Sequence, residues 1–301
     1  ANKKRIAVMG AGPAGMAFSV YAAMRGHHVV LFEAKSEVGG QFNLARKIPG
    51  KEEFNETIRY FINQIKLHKV ELRLNTRLDA SVLATEKFDE VVIASGVVPR
   101  DLVLPGFDDP RVVDYQKVLS GEVTVGNTVA LIGAGGIGFD MAHFLCERQS
   151  STLNPDKWLQ QWGIDKTYQH AGGLTEPHSD NTDHRKVFLL QRKTSKMGKG
   201  LGKTTGWIHR LVLKQHDVKM KTGVSYDKFD DAGLHIRVGE TAEVLAVDNV
   251  VLCAGQESNR TLVDEMKATG LPVHLIGGVD VAAELDAKRA IRQGAELAMR
   301  L

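Results

Sequence analysis

Two cysteines are all that the 301 residues contain. Cys146 and Cys253 stand far apart and form no C-x-x-C pair. That excludes a thiol–disulfide redox couple and a cysteine-held iron–sulfur cluster within this chain. Such sparing use of cysteine fits a reducing cytoplasm, which is the expected compartment. Long apolar runs are missing as well. None reaches the roughly 18 residues of a membrane helix, and no signal peptide opens the chain, so no membrane partner is expected. Charge of one sign is scarce: the net charge is +3, too small to argue for nucleic acid. No metal is expected either. His178, Asp183 and His184 lie close in sequence, but nothing fixes their geometry and they read as a polar loop. A starting methionine is also absent. The opening Ala-Asn-Lys-Lys is expected to be the edge of a piece cut from something longer, with Ala1 open to reading as a cloning remnant.

What is present is organised around Lys4 to Glu33, KRIAVMGAGPAGMAFSVYAAMRGHHVVLFE. It reads as strand, glycine turn, helix, strand, acid. Gly10, Gly12 and Gly15 supply G-x-G-x-x-G where the first strand meets the helix. The first glycine permits the tight turn, the second lets a pyrophosphate approach the backbone, and the third lets helix and strand pack closely. The helix start offers free N–H groups and partial positive charge to phosphates. Glu33 closes the second strand, where a carboxylate can accept from ribose hydroxyls. Gly39 and Gly40 followed by Gln41 make a loop beside that acid, able to cover an adenosine and reach toward a second ring system.

The pattern returns at Asn127, in NTVALIGAGGIGFDMAHFLCE. Gly133, Gly135 and Gly138 match the glycine spacing a second time, so the chain is expected to hold two dinucleotide-binding units. Lys186–Leu190 is the next strand of the second unit. It arrives late, because a polar insert with Trp158, Trp162 and His170 comes first. At 149–185 that insert is too long for an ordinary connection and reads as a lid or a docking surface. Where the first unit has Glu33, the second has Gln191-Arg192-Lys193. No acid is there to hold a free 2′-hydroxyl, and two cations suit a 2′-phosphate, which favours NADPH over NADH. The plainer alternative is two solvated cations at a strand end.

The stretch 193–210 is glycine-rich and basic. Gly202-Lys203-Thr204 invites a phosphate-loop reading, but Met197 stands where the first glycine of that motif belongs. A loop over the nucleotide phosphates or a partner-facing loop remains. Trp207 and His209 open a helix expected to run to about His216, where packing is the default and contact with a nicotinamide the alternative. Strands are expected at Val218–Thr222 and Leu234–Val238, with Gly233 in the turn between them. FDEVVIASG (88–96) and DNVVLCAG (248–255) repeat one another, each an apolar strand ending in small residues. Gly96 in the first of them lets backbone touch a ligand. VHLIGGVD (273–280) is expected to be a strand running into an amphipathic helix from Val281 to Leu301. That gives a second helix N-terminus around Leu285, with Asp280 just before it to hydrogen-bond a polyol chain. Cys146 and Cys253 read as buried small hydrophobes.

The paired glycine motifs, the VVIASG and VVLCAG returns and the late GGVD segment resemble the two-dinucleotide-binding-domain flavoproteins. The match narrows in EVGGQFNLARKIPGKEEF, GAGGIGFD, QRKTSK, GLGKTTGWIHR, AVDNVVLCAGQESNR and HLIGGVDVAAELDAKRAI. These resemble the C-terminal half of the bacterial NADPH-dependent 2,4-dienoyl-CoA reductases, over essentially the whole chain. The implied fold class is α/β, with two nested Rossmann-like FAD/NAD(P)-binding domains of the disulfide-reductase-like flavoprotein type. By that resemblance 1–126 and 245–301 form a split FAD domain, and 127–244 an inserted NADPH domain. Gly10, Gly12, Ala14 and Gly15 would hold the FAD pyrophosphate and Glu33 its ribose. Gly40 and Gln41 would cover the cofactor, Gly96 would lie near it, and Asp280 and Leu285 would meet the ribityl and pyrophosphate. Gly133, Gly135 and Gly138 would take the NADPH pyrophosphate, and Arg192 and Lys193 its 2′-phosphate.

That family also carries an N-terminal (β/α)8 barrel with FMN and a [4Fe–4S] cluster, neither of which this chain has. The resemblance therefore implies an electron-input half, passing a hydride from NADPH to FAD, and no catalytic side chain is named because the flavin carries the chemistry. Two other readings stay open. One is a stand-alone NAD(P)H-dependent flavoprotein reductase serving a separate carrier. The other is a noncatalytic nucleotide-binding module of a related flavin dehydrogenase.

Overall fold

The computed structural model describes residues 2–147, 150–177, 185–283 and 286–301. They divide into two compact units, one of 1–46, 53–98 and 256–301, the other of 47–52 and 99–255.

The first unit is built on a five-stranded parallel sheet. Its order is Val273–Leu275, Glu90–Ile93, Arg5–Met9, His28–Phe32 and Glu71–Arg73. The central strands are apolar at nearly every position because helices cover both faces. Along Arg5–Met9 the side chains alternate between two cores. Ile6 and Val8 pack with the helices Pro13–Met24, Phe54–Leu67 and Ala287–Arg300. Ala7 and Met9 join the opposite cluster with Leu83, Val263 and Met266. Helix Phe54–Leu67 turns Ile58, Phe61 and Ile65 inward, the i, i+3, i+7 stripe its sequence carries. Helix Pro13–Met24 is instead buried along most of its length, which explains its near-uniform apolarity.

The second unit repeats the plan. Its parallel sheet runs Val112–Asp114, Asn249–Leu252, Thr128–Ile132, Lys186–Gln191 and Lys219–Thr222. A three-stranded antiparallel sheet follows, Val224–Asp230, Gly233–Val238 and Thr241–Leu245. Inside the 149–185 insert, helix Pro155–Gln161 is capped by Asn154, whose Oδ1 accepts from Lys157 N at 3.1 Å. A single bridge joins Ile164 to Leu174. His178, Asp183 and His184 lie outside the described residues.

The two compact units divide at 99 and 255, where strand Val112–Asp114 pairs with Asn249–Leu252, which pairs with Thr128–Ile132. Residues 47–52 also belong to the second unit. Lys47 Nζ donates to Leu119 O at 2.7 Å, and Lys51 Nζ meets Asp140 Oδ2 at 2.6 Å. The last helix starts at Ala287 instead of Val281, and Asp286 caps it by accepting from Arg289 N at 2.7 Å. Asp280 ends a short 3-10 turn, Gly277–Val279, and so does not stand at a helix start. Gly233 does not link Val218–Thr222 to Leu234–Val238. The unforeseen strand Val224–Asp230 lies between them. Its register shifts between Tyr226 and Lys228, which exposes two successive residues and erases the period-two signal.

Helices Pro13–Met24 and Ala287–Arg300 meet along a seam of small residues. A Cβ on Gly294 would lie 2.4 Å from Ala14 O and 2.9 Å from Phe18 N. Both are backbone atoms that cannot swing aside. Gly294→Val is therefore expected to lower unfolding stability by about 2–3 kcal/mol, the scale of core overpacking. Gly200→Ala, whose Cβ would meet nothing, should stay near the parent in the same urea melts.

Candidate functional site

Each sheet carries the same glycine turn at the carboxyl end of its central strand, and the two agree almost atom for atom. Gly10 N donates to Phe32 O at 2.8 Å, and Gly133 N to Leu190 O at 3.0 Å. Gly10 has φ +98° and Gly133 has φ +110°, a backbone that side chains resist. A Cβ on Gly10 would lie 2.6 Å from Ala94 O, and one on Gly133 would lie 2.5 Å from Cys253 O. The third glycine of each turn is tighter still. A Cβ on Gly15 would sit 1.9 Å from Gly10 O, and on Gly138 1.8 Å from Gly133 O.

The middle glycines behave differently. Gly12 and Gly135 are the N-caps of helices Pro13–Met24 and Gly136–Cys146, both extended, and no side chain caps either helix. Nothing within 4 Å would oppose a Cβ on Gly135, and Gly12 would meet only Gly40 Cα at 3.9 Å. The protein itself does not require glycine there. A ligand lying against the uncapped helix start would.

In the first unit further segments converge on the turn. Gly39 N donates to Ala11 O at 2.8 Å, and Gly40, with φ +54°, comes so close that a Cβ on it would lie 2.9 Å from Gly12 Cα. Gln41 begins the short helix Phe42–Ala45. Glu33 accepts from Ala11 N and from Lys35 N, each at 2.9 Å and each on a different oxygen. Each carboxylate oxygen keeps an acceptor position for a ribose hydroxyl. Ala14 is buried, and Gly277 with φ +71° packs against it, a Cβ there coming within 2.9 Å of Ala14 Cβ. Ala14 thus holds the 277–280 turn in place. Gln293 ties that turn down from both ends: its Oε1 accepts from Gly277 N at 2.8 Å and its Nε2 donates to Asp280 Oδ2 at 3.0 Å. Gly96, with φ +75°, accepts from Asn259 N at 3.0 Å. Leu285 lies outside the described residues. Sequence reasoning missed Gln293, whose role shows only in its partners.

In the second unit Gln191 occupies the place of Glu33, since Leu190 is opposite Ile132 as Phe32 is opposite Met9. Arg192 and Lys193 are exposed, and neither forms an ion pair among the described residues. The basic loop after them is anchored beside the glycine turn. Met197 and Gly198 are buried, and a Cβ on Gly198 would lie 2.9 Å from the ring of Phe139. Trp207 is 55% exposed, so core packing is not its role. His209 is partly buried, and burial holds its pKa below the usual imidazole range.

A pyridine nucleotide-disulphide oxidoreductase sequence profile matches residues 4–289. The chain belongs to that FAD/NAD(P)-binding family. Among curated relatives, a metal reductase of Desulforamulus reducens is 28% identical over 281 residues, 91% of this chain and 40% of that protein. A bilirubin reductase of Mediterraneibacter gnavus is 28% identical over 296 residues, 97% of this chain and 40% of that protein. The chain thus spans well under half the length of these relatives. Among solved structures, a 2-naphthoyl-CoA reductase superposes over 100% of this chain and 40% of its own, with TM-score 0.82 and 26% identity. A thioredoxin reductase of Lactococcus lactis covers 99% of this chain and 97% of its own, with TM-score 0.68 and 17% identity, a likeness of fold alone.

Membership of this oxidoreductase family does not bring disulfide chemistry with it. Cys146 and Cys253 are both buried, and no disulfide joins them. Burial pushes the Cys146 thiol up to about 12 and raises that of Cys253 as well, so neither supplies a thiolate near neutral pH. No helix among the described residues is long and apolar enough to cross a membrane.

The glycine geometry separates folding from binding. Gly12→Ala and Gly135→Ala should leave urea stability unchanged or raise it by up to ~1 kcal/mol. Where a turn carries a dinucleotide, the added methyl should weaken it about tenfold, read as bound-flavin content for Gly12→Ala and as NAD(P)⁺ affinity for Gly135→Ala. Gly15→Ala and Gly138→Ala should instead destabilise the fold, measured in the same melts.

Proposed function

We propose that this chain is the electron-input half of an NADPH-dependent flavin reductase. The observation that carries this is the duplicated glycine turn with a changed following position: Glu33 in one unit, Gln191-Arg192-Lys193 in the other. FAD, when bound, supplies the acceptor for the nicotinamide's hydride and a store from which electrons leave singly. The residues for it are those of the first unit. Gly10, Gly12 and Gly15 bring the backbone to the pyrophosphate, Glu33 takes the adenosine ribose, and Gly40 with Gln41 closes over it. Gly96 and Asp280 would meet the rest of the cofactor, and Gln293 fixes the Asp280 carboxylate. In the second unit Gly133, Gly135 and Gly138 receive the NADPH pyrophosphate. Arg192 and Lys193, with no ion-pair partner among the described residues, take its 2′-phosphate. No side chain needs to move a proton for hydride transfer, so the work of this chain is binding and orientation.

The finer proposal is a 2,4-dienoyl-CoA reductase in which an FMN barrel and an iron–sulfur cluster outside this chain take the electrons onward for unsaturated fatty acid β-oxidation. Its support is the run of motifs from EVGGQFNLARKIPGKEEF to HLIGGVDVAAELDAKRAI. The 2-naphthoyl-CoA reductase, itself named for a CoA thioester, fits the same reading. A stand-alone NAD(P)H-dependent flavoprotein reductase is the second reading. The thioredoxin reductase shows that this fold occurs in a chain of nearly this extent.

The test is anaerobic titration of the purified chain with NADPH, and separately with NADH, followed at the flavin absorbance. NADPH should bleach it at low concentration and NADH much less. Bound FAD that NADPH leaves unbleached would count against electron input by this half. Arg192→Ala with Lys193→Ala should raise the NADPH requirement roughly tenfold or more and leave NADH nearly unchanged, as expected for loss of charge-assisted bonds to a phosphate. An unchanged preference would remove the phosphate assignment.

A further inference from the structure

The two glycine units differ most at one hydrogen-bonding position. Glu33 follows its strand and accepts, its two oxygens taking Ala11 N and Lys35 N. Gln191, its counterpart, donates. Its Nε2 gives one hydrogen bond to Lys193 O at 2.8 Å and another to Ser195 O at 2.7 Å. Only an NH2 group can face two carbonyl oxygens, so the chemistry fixes which way the carboxamide points. Lys193 O also accepts from Gly223 N at 3.1 Å, beyond the next strand. The carbonyl side of this turn is thus held from two directions, while the side chains of Arg192 and Lys193 stand exposed.

We propose that Gln191 is the positioning residue for nucleotide selectivity: its carboxamide folds the 192–195 turn so that Arg192 and Lys193 are held ready for a 2′-phosphate. The inference rests on the NADPH reading and deepens it. A carboxylate at 191 would do more than add a charge near a phosphate. The oxygen standing in place of Nε2 would face the Lys193 and Ser195 carbonyls, three acceptors with no hydrogen between them, and the turn would have to open. One side chain therefore decides both the local charge and the shape of the cation-bearing turn. In the first unit the same place is filled with the opposite hydrogen-bond polarity, and the loop after it is held by N–H groups instead.

The experiment measures NADP⁺ and NAD⁺ binding to the full 301-residue chain by calorimetry, with no electron transfer involved. Gln191→Met keeps the side-chain length and deletes the donors. Gln191→Glu reverses the polarity. The ratio of NADP⁺ to NAD⁺ affinity should fall about tenfold in Gln191→Met, the scale of losing two ordinary hydrogen bonds, and fall further in Gln191→Glu. A general loss of structure would weaken both nucleotides alike and leave the ratio in place. Amide hydrogen exchange at 192–196 should quicken in both variants without nucleotide. A Gln191→Met ratio within twofold of the parent overturns the positioning role and leaves the NADPH reading standing. A parent chain that binds the two nucleotides equally overturns the NADPH reading, and the inference falls with it.

Discussion

A missing Cβ at the third glycine of each turn is the constraint on which both units depend. Gly15 and Gly138 bring their helices so close that any side chain would overlap the carbonyl of the turn's first glycine. That approach aims the helix N-terminus at the end of the central strand. The first glycine, held at positive φ against the neighbouring strand's carbonyl, lets the chain reverse in so short a space. Every later feature of the site is referred to this corner. Gly39 N of the 39–41 loop donates to Ala11 O, Glu33 accepts from Ala11 N, and the 277–280 turn packs on Ala14. The middle glycine is the exception, because the fold leaves its Cβ position open. Its identity is explained by what comes to lie there, which makes it the most direct mark of a ligand in either unit.

Much of this was legible beforehand for a physical reason. Parallel strands buried on both faces are continuous apolar runs, and the glycine spacing is dictated by the turn, so Arg5–Met9, Thr128–Ile132 and their helices could be read directly. What could not be read was whatever depends on pairing at long range. Val112–Asp114 is three residues long, and nothing local says that it completes the second sheet. The hairpin strand Val224–Asp230 hid behind its register shift. The last helix was drawn too early because the residues after Asp280 have helical character. Asp286 caps the true start, and the 3-10 turn Gly277–Val279 is held instead by Gln293. The site glycines and Glu33 were visible as a motif. The roles of Gln191 and Gln293 were not, because an amide side chain carries no pattern until its partners are known.

The duplication also shows how one scaffold is made to serve two nucleotides. The turns themselves are nearly identical, so the pyrophosphate end cannot tell one ligand from another. Discrimination has to come from the residue after the second strand and the loop that follows it. That loop is organised in one unit by a carboxylate accepting from N–H groups and in the other by a carboxamide donating to carbonyls. On the proposed reading, the polarity of that one side chain sets both the charge offered to the ribose and the shape of the turn beside it, at a place where mutation leaves the sheet undisturbed.

This separation of labour accounts for the range of relatives. A metal reductase and a bilirubin reductase share 28% identity with nearly all of this chain, and a 2-naphthoyl-CoA reductase keeps its course with TM-score 0.82. Their names describe unrelated substrates, yet the shared part is a cradle made mostly of backbone. Backbone recognises phosphate and leaves most side chains free to vary, so low identity and close superposition are compatible. A cradle of that kind has no means of sensing an acyl chain, a tetrapyrrole or a metal ion. The chain spans about 40% of those proteins, and substrate choice in them is most economically assigned to the remainder. The same argument applies to the two cysteines here. Family membership follows from the glycine turns, while disulfide chemistry needs a thiol pair that Cys146 and Cys253, buried and protonated, do not form.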